Sequence, residues 1–316
     1  MRGGVESPVT TGAHGSVYST LFDRNEWRST ELCGACHDFQ NRLGAHVHRT
    51  LTEWTESLFA DTSSRLFLTC NGCHLGGRPA PIATGDLPER RLHDHTMPGL
   101  NVALTDWPEK EAQRAAILAD LTPAVLARLC LTAGLRPQVS LDNVMGGHMW
   151  PSGDASTRRA WVELVVRSDD KIVYQSGVVA EGTPVVATRS ADPDLWLLAD
   201  RLVGEDGEDV VFPWAAKAAD SSLLPPSVTA DPTDPRFYHA VTRLYPPLVD
   251  VPDEMTMKLH IRPIALEMLD ALVASGDLAA DVRALLPTFT ASEIEWQGKP
   301  GTCVPPINPS PTRSSP

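Results

Sequence analysis

The pattern of apolar positions divides the chain into a helical first part and a strand-rich second part. Apolar residues recur at helical spacing over 50–59 and again over 108–133, with Pro123 as a candidate break in the second helix. Between these helices, residues 76–106 are rich in Gly and Pro. This composition predicts a long irregular segment that is ordered by something other than its own backbone hydrogen bonds.

From about residue 137 to 262, short β-rich runs replace the helical pattern. Met255, Met257, Leu259 and Ile261 alternate with polar residues, which is typical of a strand with one buried face. A sandwich of antiparallel strands is therefore predicted, followed by a helix that ends at Gly276. The other predicted strands are 161–166, 172–174, 178–179, 195–198 and 210–212, and a last helix is predicted over 278–286.

Composition narrows the class of protein. The chain has 316 residues, of which 42% are apolar, so it is long enough for one large or two ordinary globular domains. Forty acidic residues against 27 basic ones give a net charge of −13, which argues against nucleic acid and anionic membranes as partners. No apolar run is long enough to span a membrane, and the first residues lack the apolar region of an export signal.

Four of the six cysteines form two Cys-x-x-Cys-His motifs, at 33–37 and 70–74. This is the pattern of c-type haem attachment. Two thiols three positions apart on one helical turn reach both vinyl groups of one haem, and the adjoining imidazole ligates its iron. The sequence therefore predicts two covalent haems. The predicted thioether residues are Cys33, Cys36, Cys70 and Cys73, and the predicted proximal ligands are His37 and His74.

Two other uses of these cysteines need to be considered. Four thiolates from two Cys-x-x-Cys pairs could hold a structural zinc ion. Zinc does not require a histidine directly after both pairs, however, and a disulfide or dithiol redox centre does not require one either. Haem attachment is therefore the favoured interpretation.

The sixth ligand of each haem decides between an electron carrier and an enzyme with an open iron face. His95, in a loop shared with His93, and His148, where the helical part meets the strands, are the main candidates. For His46 and His48, which closely follow the first motif, a surface position is the simplest interpretation. Arg90, Arg91, Arg158 and Arg159 are candidate partners for haem propionates, although for most of them a solvated surface charge is the simpler interpretation.

At these residues the sequence resembles the multihaem cytochrome c family related to tetrahaem nitrification cytochromes and hydroxylamine oxidoreductase. The resemblance implies low-spin haems with two histidine ligands each, the distal one coming from a distant loop. His95 and His148 match the family's loop positions, and His14 matches a His-Gly that often precedes such a motif. The matching segments are 29–38, 50–54, 70–74, 95–99 and 148–153.

The sequence departs from this family in two ways, because it has neither further upstream motifs nor a visible export signal. Either the chain begins inside a longer gene, as the C-terminal portion with two haems, or the upstream haems lie on another subunit. The expected location is periplasmic or otherwise extracytoplasmic. The expected partners are redox proteins, including further multihaem cytochrome subunits, with no nucleic acid and no transmembrane segment. In an exported protein Cys130 and Cys303 most simply form a disulfide, the alternative being two free buried thiols.

These observations predict an α+β fold in four parts. They are a helix- and loop-rich dihaem cytochrome c domain over 1–135, an antiparallel β-sandwich-like domain over 136–262, C-terminal helices over 263–300 and a flexible tail over 301–316. The predicted function is electron transfer through two bis-His haems, without catalysis. The alternatives are a haem-bearing subunit or fragment of a multihaem oxidoreductase acting on a small nitrogen or sulfur compound, and a zinc-binding module.

Overall fold

The structure is a computed structural model that describes residues 19–81, 89–93, 97, 99–298, 300–301 and 303. Within these residues the fold is mixed, with antiparallel sheets and few helices, in agreement with the α+β prediction. The helices are α1 (Ser29–His37), α2 (Thr50–Thr55), α3 (Cys70–His74), α4 (Lys110–Leu121), α5 (Leu266–Ser275) and α6 (Ala280–Ala284). Short 3-10 helices lie at Thr20–Phe22, Leu58–Ala60, Val185–Ser190, Pro213–Ala215 and Pro235–Phe237.

The largest sheet has five antiparallel strands. They are β7 (Arg159–Ser168), β8 (Lys171–Ser176), β9 (Trp196–Leu198), β13 (Glu254–Arg262) and β14 (Phe289–Trp296). Four of them follow the order β14-β13-β7-β8, and β9 pairs with β7. The alternation predicted for β13 is confirmed, since Met255, Met257, Leu259 and Ile261 are all at most 1% exposed while the polar residues between them are partly accessible.

A second sheet shares one hydrophobic core with the first. Its strands are β5 (Leu126–Leu131), β6 (Pro137–Asp142) and β12 (Val241–Leu244), in the order β12-β6-β5. Val139 and Leu141 of this sheet belong to the same buried cluster as Leu164 and Met257 of the large sheet, and Ile117 of α4 joins them. The two sheets thus contribute to one hydrophobic core, and the predicted sandwich stays a prediction.

Three two-stranded ladders complete the strands of the described chain. The pairs are β1 (Asp38–Gln40) with β2 (His46–Arg49), β3 (Gly77–Ala80) with β4 (Arg90–His93), and β10 (Asp200–Val203) with β11 (Ala218–Ser221). Ala45 and Val47 of the first hairpin pack with Leu202 and Ala216 in a small buried cluster. This contact fixes the hairpin that follows the first Cys-x-x-Cys-His motif to the strand-rich part of the molecule.

The second half of the predicted helix over 108–133 is wrong. Helix α4 ends at Leu121, and β5 follows, with Ala127, Leu129 and Leu131 buried on one face. The apolar residues of this segment fit the period of two of a strand as well as they fit helical spacing. Pairing with β6 is what makes the segment a strand. Strand β5 lies before residue 135 and β6 lies after it, so this pairing crosses the predicted boundary between the first two domains. The division of the chain into domains stays a prediction. The predicted strands at 178–179 and 210–212 lie outside the strands of the described residues.

The C-terminal predictions agree with the structure in two respects, but within the predicted C-terminal helices over 263–300 the segment Phe289–Trp296 is strand β14, which pairs with β13. Helix α5 ends at Ser275, and Gly276 follows in the left-handed conformation with φ of 83°. Cys130 and Cys303 form a disulfide, which joins residue 303 to strand β5, where a helix had been predicted. In the part of the chain that the structure describes, no helix is long and apolar enough to cross a membrane.

Candidate functional site

The two Cys-x-x-Cys-His motifs lie on neighbouring helices, α1 and α3. The thiols of Cys33 and Cys70 are within hydrogen-bond reach of each other, and this hydrogen bond lowers the pKa of Cys33 to about 7. Asn71, which is 2% exposed, links the helices further, with its Oδ1 3.9 Å from Cys33 Sγ and its Nδ2 donating to the carbonyl of Ser29 at 3.5 Å. The first cysteines of both motifs therefore meet at one place.

Local sequence explains how the two helices are placed. Thr69 begins α3, because its Oγ1 accepts a hydrogen bond from the Gly72 amide at 3.1 Å. The same hydroxyl donates to the carbonyl of Arg24 at 2.6 Å, which fixes α3 to the segment before α1. On α1, a Cβ at Gly34 would lie 2.3 Å from a methyl group of Leu51, so the glycine permits close packing against α2.

The first motif histidine faces a second imidazole across a short hairpin. Helix α1 ends at His37, β1 follows at once, and β2 returns antiparallel with Phe39 opposite His48. The side chain of Asn41 stabilises the turn by accepting hydrogen bonds from the amides of Leu43 and Ala45, at 2.9 and 3.0 Å. As a result, the ring centroids of His37 and His48 are 6.4 Å apart, with an angle of 49° between the ring planes.

His48 and its neighbour His46 have different surroundings. His46 Nε2 lies 2.7 Å from Asp38 Oδ1, so a carboxylate already satisfies that nitrogen. The His48 side chain is 19% exposed and stacks on Phe39 at a centroid distance of 4.7 Å, and its Nε2 lies 3.5 Å from Asp154 Oδ1. Its Nδ1 is buried and has no hydrogen-bond partner among the described residues. His48 therefore retains a buried ring nitrogen that could bind a ligand.

The second motif histidine also faces an imidazole from a distant part of the chain. The ring centroids of His74 and His148 are 6.4 Å apart, and their planes differ by only 9°. The Nδ1 of His148 lies 2.9 Å from the carbonyl of Met149, which favours the tautomer that leaves Nε2 free as an acceptor. Desolvation by burial lowers the pKa of His148, and the charge of Arg158 lowers it further, so the ring is neutral as a metal ligand requires.

Helix α2 holds the loop that carries His148. Glu53 Oε2 accepts hydrogen bonds from the Met149 amide at 3.3 Å and from the Ser152 hydroxyl at 2.5 Å. Burial raises the pKa of Glu53, and Arg49, 3.6 Å away, opposes this rise. Arg49 also pairs with the buried Asp200 at 3.0 Å. The loop is thus anchored by a buried polar network that begins directly after His48.

Both imidazole pairs fit a haem with two axial histidines. Two imidazoles on one iron have ring centroids about 6.2 Å apart, because each metal–nitrogen bond measures about 2.0 Å and each nitrogen lies about 1.1 Å from its ring centre. Both observed centroid distances are 6.4 Å. The unpartnered Nδ1 of His48 is consistent with the same use. By contrast, no three His, Cys, Asp or Glu side chains in the described ranges converge as they would around zinc.

The predicted distal ligands are only partly covered by the structure. His148 lies opposite His74, whereas His14 and His95 lie outside the described residues. His93, the last residue of β4, contacts Arg24 at 2.7 Å and the carbonyl of Leu75 at 3.2 Å. Sequence reasoning missed the position of His48 opposite His37. The available signal was the pair of turn-forming residues Asn41 and Gly44, which allows a strand after the motif to fold back on it.

Comparison with known proteins relates the fold to one solved structure. No protein-family model matches the chain, and no curated protein matches it. The fold is similar to that of a penta-haem cytochrome c552 from Thermochromatium tepidum, with a TM-score of 0.55 and 18% sequence identity. The match covers 85% of this chain and 55% of that chain, so the chain spans about half the length of the structure it matches. The chain therefore shares its fold with part of a multihaem cytochrome c.

Proposed function

We propose that the chain is a c-type cytochrome that transfers electrons through two covalently bound haems, each between two histidines. The ligand pairs are His37 with His48 and His74 with His148. The observation that supports this proposal is that each motif histidine faces a second imidazole at a centroid distance of 6.4 Å. Two such coincidences, both at the spacing that one iron requires, are hard to explain as ordinary ring contacts.

The chain's own residues have three tasks in this function. The four motif thiols would hold the haems covalently, and the imidazoles of the two pairs would ligate the irons. When bound, haem supplies a reversible one-electron couple. Asn71 of α3 donates to the carbonyl of Ser29 of α1 at 3.5 Å and so holds the two motif helices together, which favours transfer between the two sites. With both axial positions filled by protein there is no open iron face, so electron transfer is favoured over catalysis.

A second candidate is a haem-bearing subunit or fragment of a multihaem oxidoreductase. The observation that favours it is that this chain matches 55% of a penta-haem chain. His14 and His95 would then be available to haems beyond the two attached here. The chain would still act by electron transfer, and any reaction with a small nitrogen or sulfur compound would occur elsewhere in the assembly.

The Cys130–Cys303 disulfide supports a periplasmic or other extracytoplasmic location, because disulfides persist in oxidising compartments. The formal charge of −13 favours a redox partner with a basic docking surface.

Absorption spectroscopy tests the proposed function directly. Protein produced with a haem-attachment system should show sharp low-spin bands, and a pyridine haemochrome assay should count two haems per chain. Carbon monoxide should leave the spectrum of the reduced protein unchanged, because both axial positions are filled. A carbon monoxide shift in the parent protein would instead favour an open haem and the enzyme-subunit alternative. Absence of covalent haem would overturn both candidates.

A further inference from the structure

Arg158 is a cation whose hydrogen-bonding capacity is incompletely used. It precedes β7 and folds back on the loop that carries His148, where its Nη1 donates to the carbonyl of Ser152. Both terminal nitrogens pack on Gly153, 3.4 Å from the place of a Cβ, and φ of 79° puts that glycine in the left-handed region. The Nε of Arg158 is inaccessible to solvent and has no hydrogen-bond partner in the described part of the chain.

The charge of Arg158 also lacks a close counter-ion. No carboxylate of the described residues lies within ion-pair distance of its guanidinium. Asp154 acts on it only at longer range, while Asp154 Oδ1 itself lies 3.5 Å from His48. Burial accordingly lowers the pKa of Arg158. Because a desolvated charge is costly unless it is paired, this arrangement indicates that an anion completes the site.

The neighbouring arginine shows what a complete environment looks like here. Arg159 Nε lies 2.7 Å from Glu267 Oε1, and its Nη1 donates to the carbonyls of Ser156 and Arg158 at 2.9 and 2.7 Å. Of these two adjacent guanidinium groups, only that of Arg158 lacks a carboxylate.

Arg158 lies within electrostatic range of both imidazole pairs. Desolvation is the largest cause that lowers the pKa of His37 and of His148, and the positive charge of Arg158 lowers the pKa of both residues further. His37 belongs to the first pair and His148 to the second, so one guanidinium acts on both proposed haem sites.

We propose that Arg158 binds a propionate carboxylate of one of the haems held by this chain. This inference rests on the proposed function, which supplies the haem. A guanidinium offers several N–H donors to a carboxylate, and Arg158 as a whole remains partly accessible, so its terminal nitrogens can donate to a propionate. The ion pair keeps the propionate ionised and sets the charge felt by the iron. Arg158 is therefore a positioning residue for the cofactor and helps to set its reduction potential.

The test is the pH dependence of the midpoint potential in Arg158→Gln and the parent. At alkaline pH the propionate is ionised in both proteins, so loss of the cation should disfavour reduction about tenfold, or about 59 mV for one electron. At acidic pH the propionate of the variant takes up a proton, and both proteins then carry the same net charge at this site. The two potentials should therefore converge as the pH falls from about 8 to about 5.

The titratable groups around Arg158 are Asp154, His37 and His148. The two histidines are the proposed iron ligands and do not titrate while they are bound. Although burial opposes it, hydrogen bonds from His48 and Thr157 keep the pKa of Asp154 low, so its charge stays constant in this pH window. Arg201→Gln is the matched control, because it removes an exposed arginine paired with Asp209 and Asp220, and its potential should follow that of the parent.

A difference between Arg158→Gln and the parent that is the same at every pH would overturn the proposal, because charge would then act without a propionate contact. So would identical potentials. If Arg158→Gln does not accumulate with haem, Arg158→Lys takes its place in the test. The potentials of Arg158→Lys and the parent should converge in the same way, with a smaller difference at alkaline pH. A difference that is constant with pH, or no difference, would overturn the proposal. In all variants the haem count should remain two and carbon monoxide should leave the spectrum unchanged. These two measurements test the proposed function independently of the midpoint potentials.

Discussion

The imidazole of His48 faces that of His37 at a centroid distance of 6.4 Å, because the hairpin of β1 and β2 folds the chain back on the first motif. His46, on the same strand, is bound instead by Asp38 at 2.7 Å. These two histidines are two positions apart, so they provide a matched pair for testing which one ligates iron.

His48→Ala should open the distal face of one haem. About half of the haem should become high-spin and bind carbon monoxide after reduction, since the second pair is unaffected. His46→Ala should leave both haems low-spin, because its imidazole hydrogen-bonds a carboxylate. Absorption spectra with and without carbon monoxide measure the effect. A low-spin spectrum unchanged by His48→Ala would remove this residue from the ligand set and return the first haem to His14 or His95.

The orientation of the rings predicts two different electron paramagnetic resonance signals. The planes of His74 and His148 differ by 9°, which favours a rhombic low-spin signal, whereas the 49° angle between His37 and His48 moves the largest g value upward. The oxidised parent should therefore show two low-spin species in equal amounts. His48→Ala should abolish only the species with the larger g value. A single homogeneous signal would contradict the different ring geometries.

The buried carboxyl of Glu53 should make the stability of the folded protein depend on pH. Burial raises its folded-state pKa above the ordinary value of 4.5, so the folded protein binds this proton more tightly than the unfolded chain does. The stability of the parent relative to Glu53→Gln should therefore decrease as pH rises from about 4.5 through the folded pKa, and then level off. At the acid end the two proteins should agree within about 1 kcal/mol.

Thermal unfolding of the haem-loaded proteins across this pH range measures the Glu53 effect. Glu56→Gln, which changes an exposed carboxyl at the end of the same helix, is the control. A relative stability of Glu53→Gln that does not vary with pH would show that the buried carboxyl does not titrate differently in the folded state.

The disulfide should stabilise the fold without affecting haem attachment. It joins residues separated by 173 positions, and a loop of that length corresponds to at most about 5 kcal/mol of chain entropy. The double variant Cys130→Ser, Cys303→Ser should therefore unfold at lower denaturant concentration while keeping two haems. In the parent, alkylation after reduction should label these two cysteines and none of the four motif cysteines. Labelling of a motif cysteine, detected by peptide mass spectrometry, would contradict its thioether bond.

Several features could be predicted from sequence because they depend on neighbouring residues. The thiols and imidazole of each Cys-x-x-Cys-His motif lie within about one helical turn, so covalent haem attachment can be predicted from them without knowledge of the fold. The alternation of β13 and the helix end at Gly276 are equally local, and both agree with the structure. The segment at 126–131 could not be assigned in this way, because its apolar spacing suits a helix and a strand, and only pairing with β6 distinguishes them.

Tertiary structure decided which imidazole faces each motif histidine. His148 is brought opposite His74 by a loop bound to Glu53 of α2, and no local pattern reports that contact. His48 lies close to His37 in sequence, yet its position depends on a turn and on burial of the hairpin against β10. The sequence alone thus determined the predicted proximal half of each haem site. The opposite half depends on packing between segments that are distant along the chain, because an axial ligand pair must approach one metal from two sides.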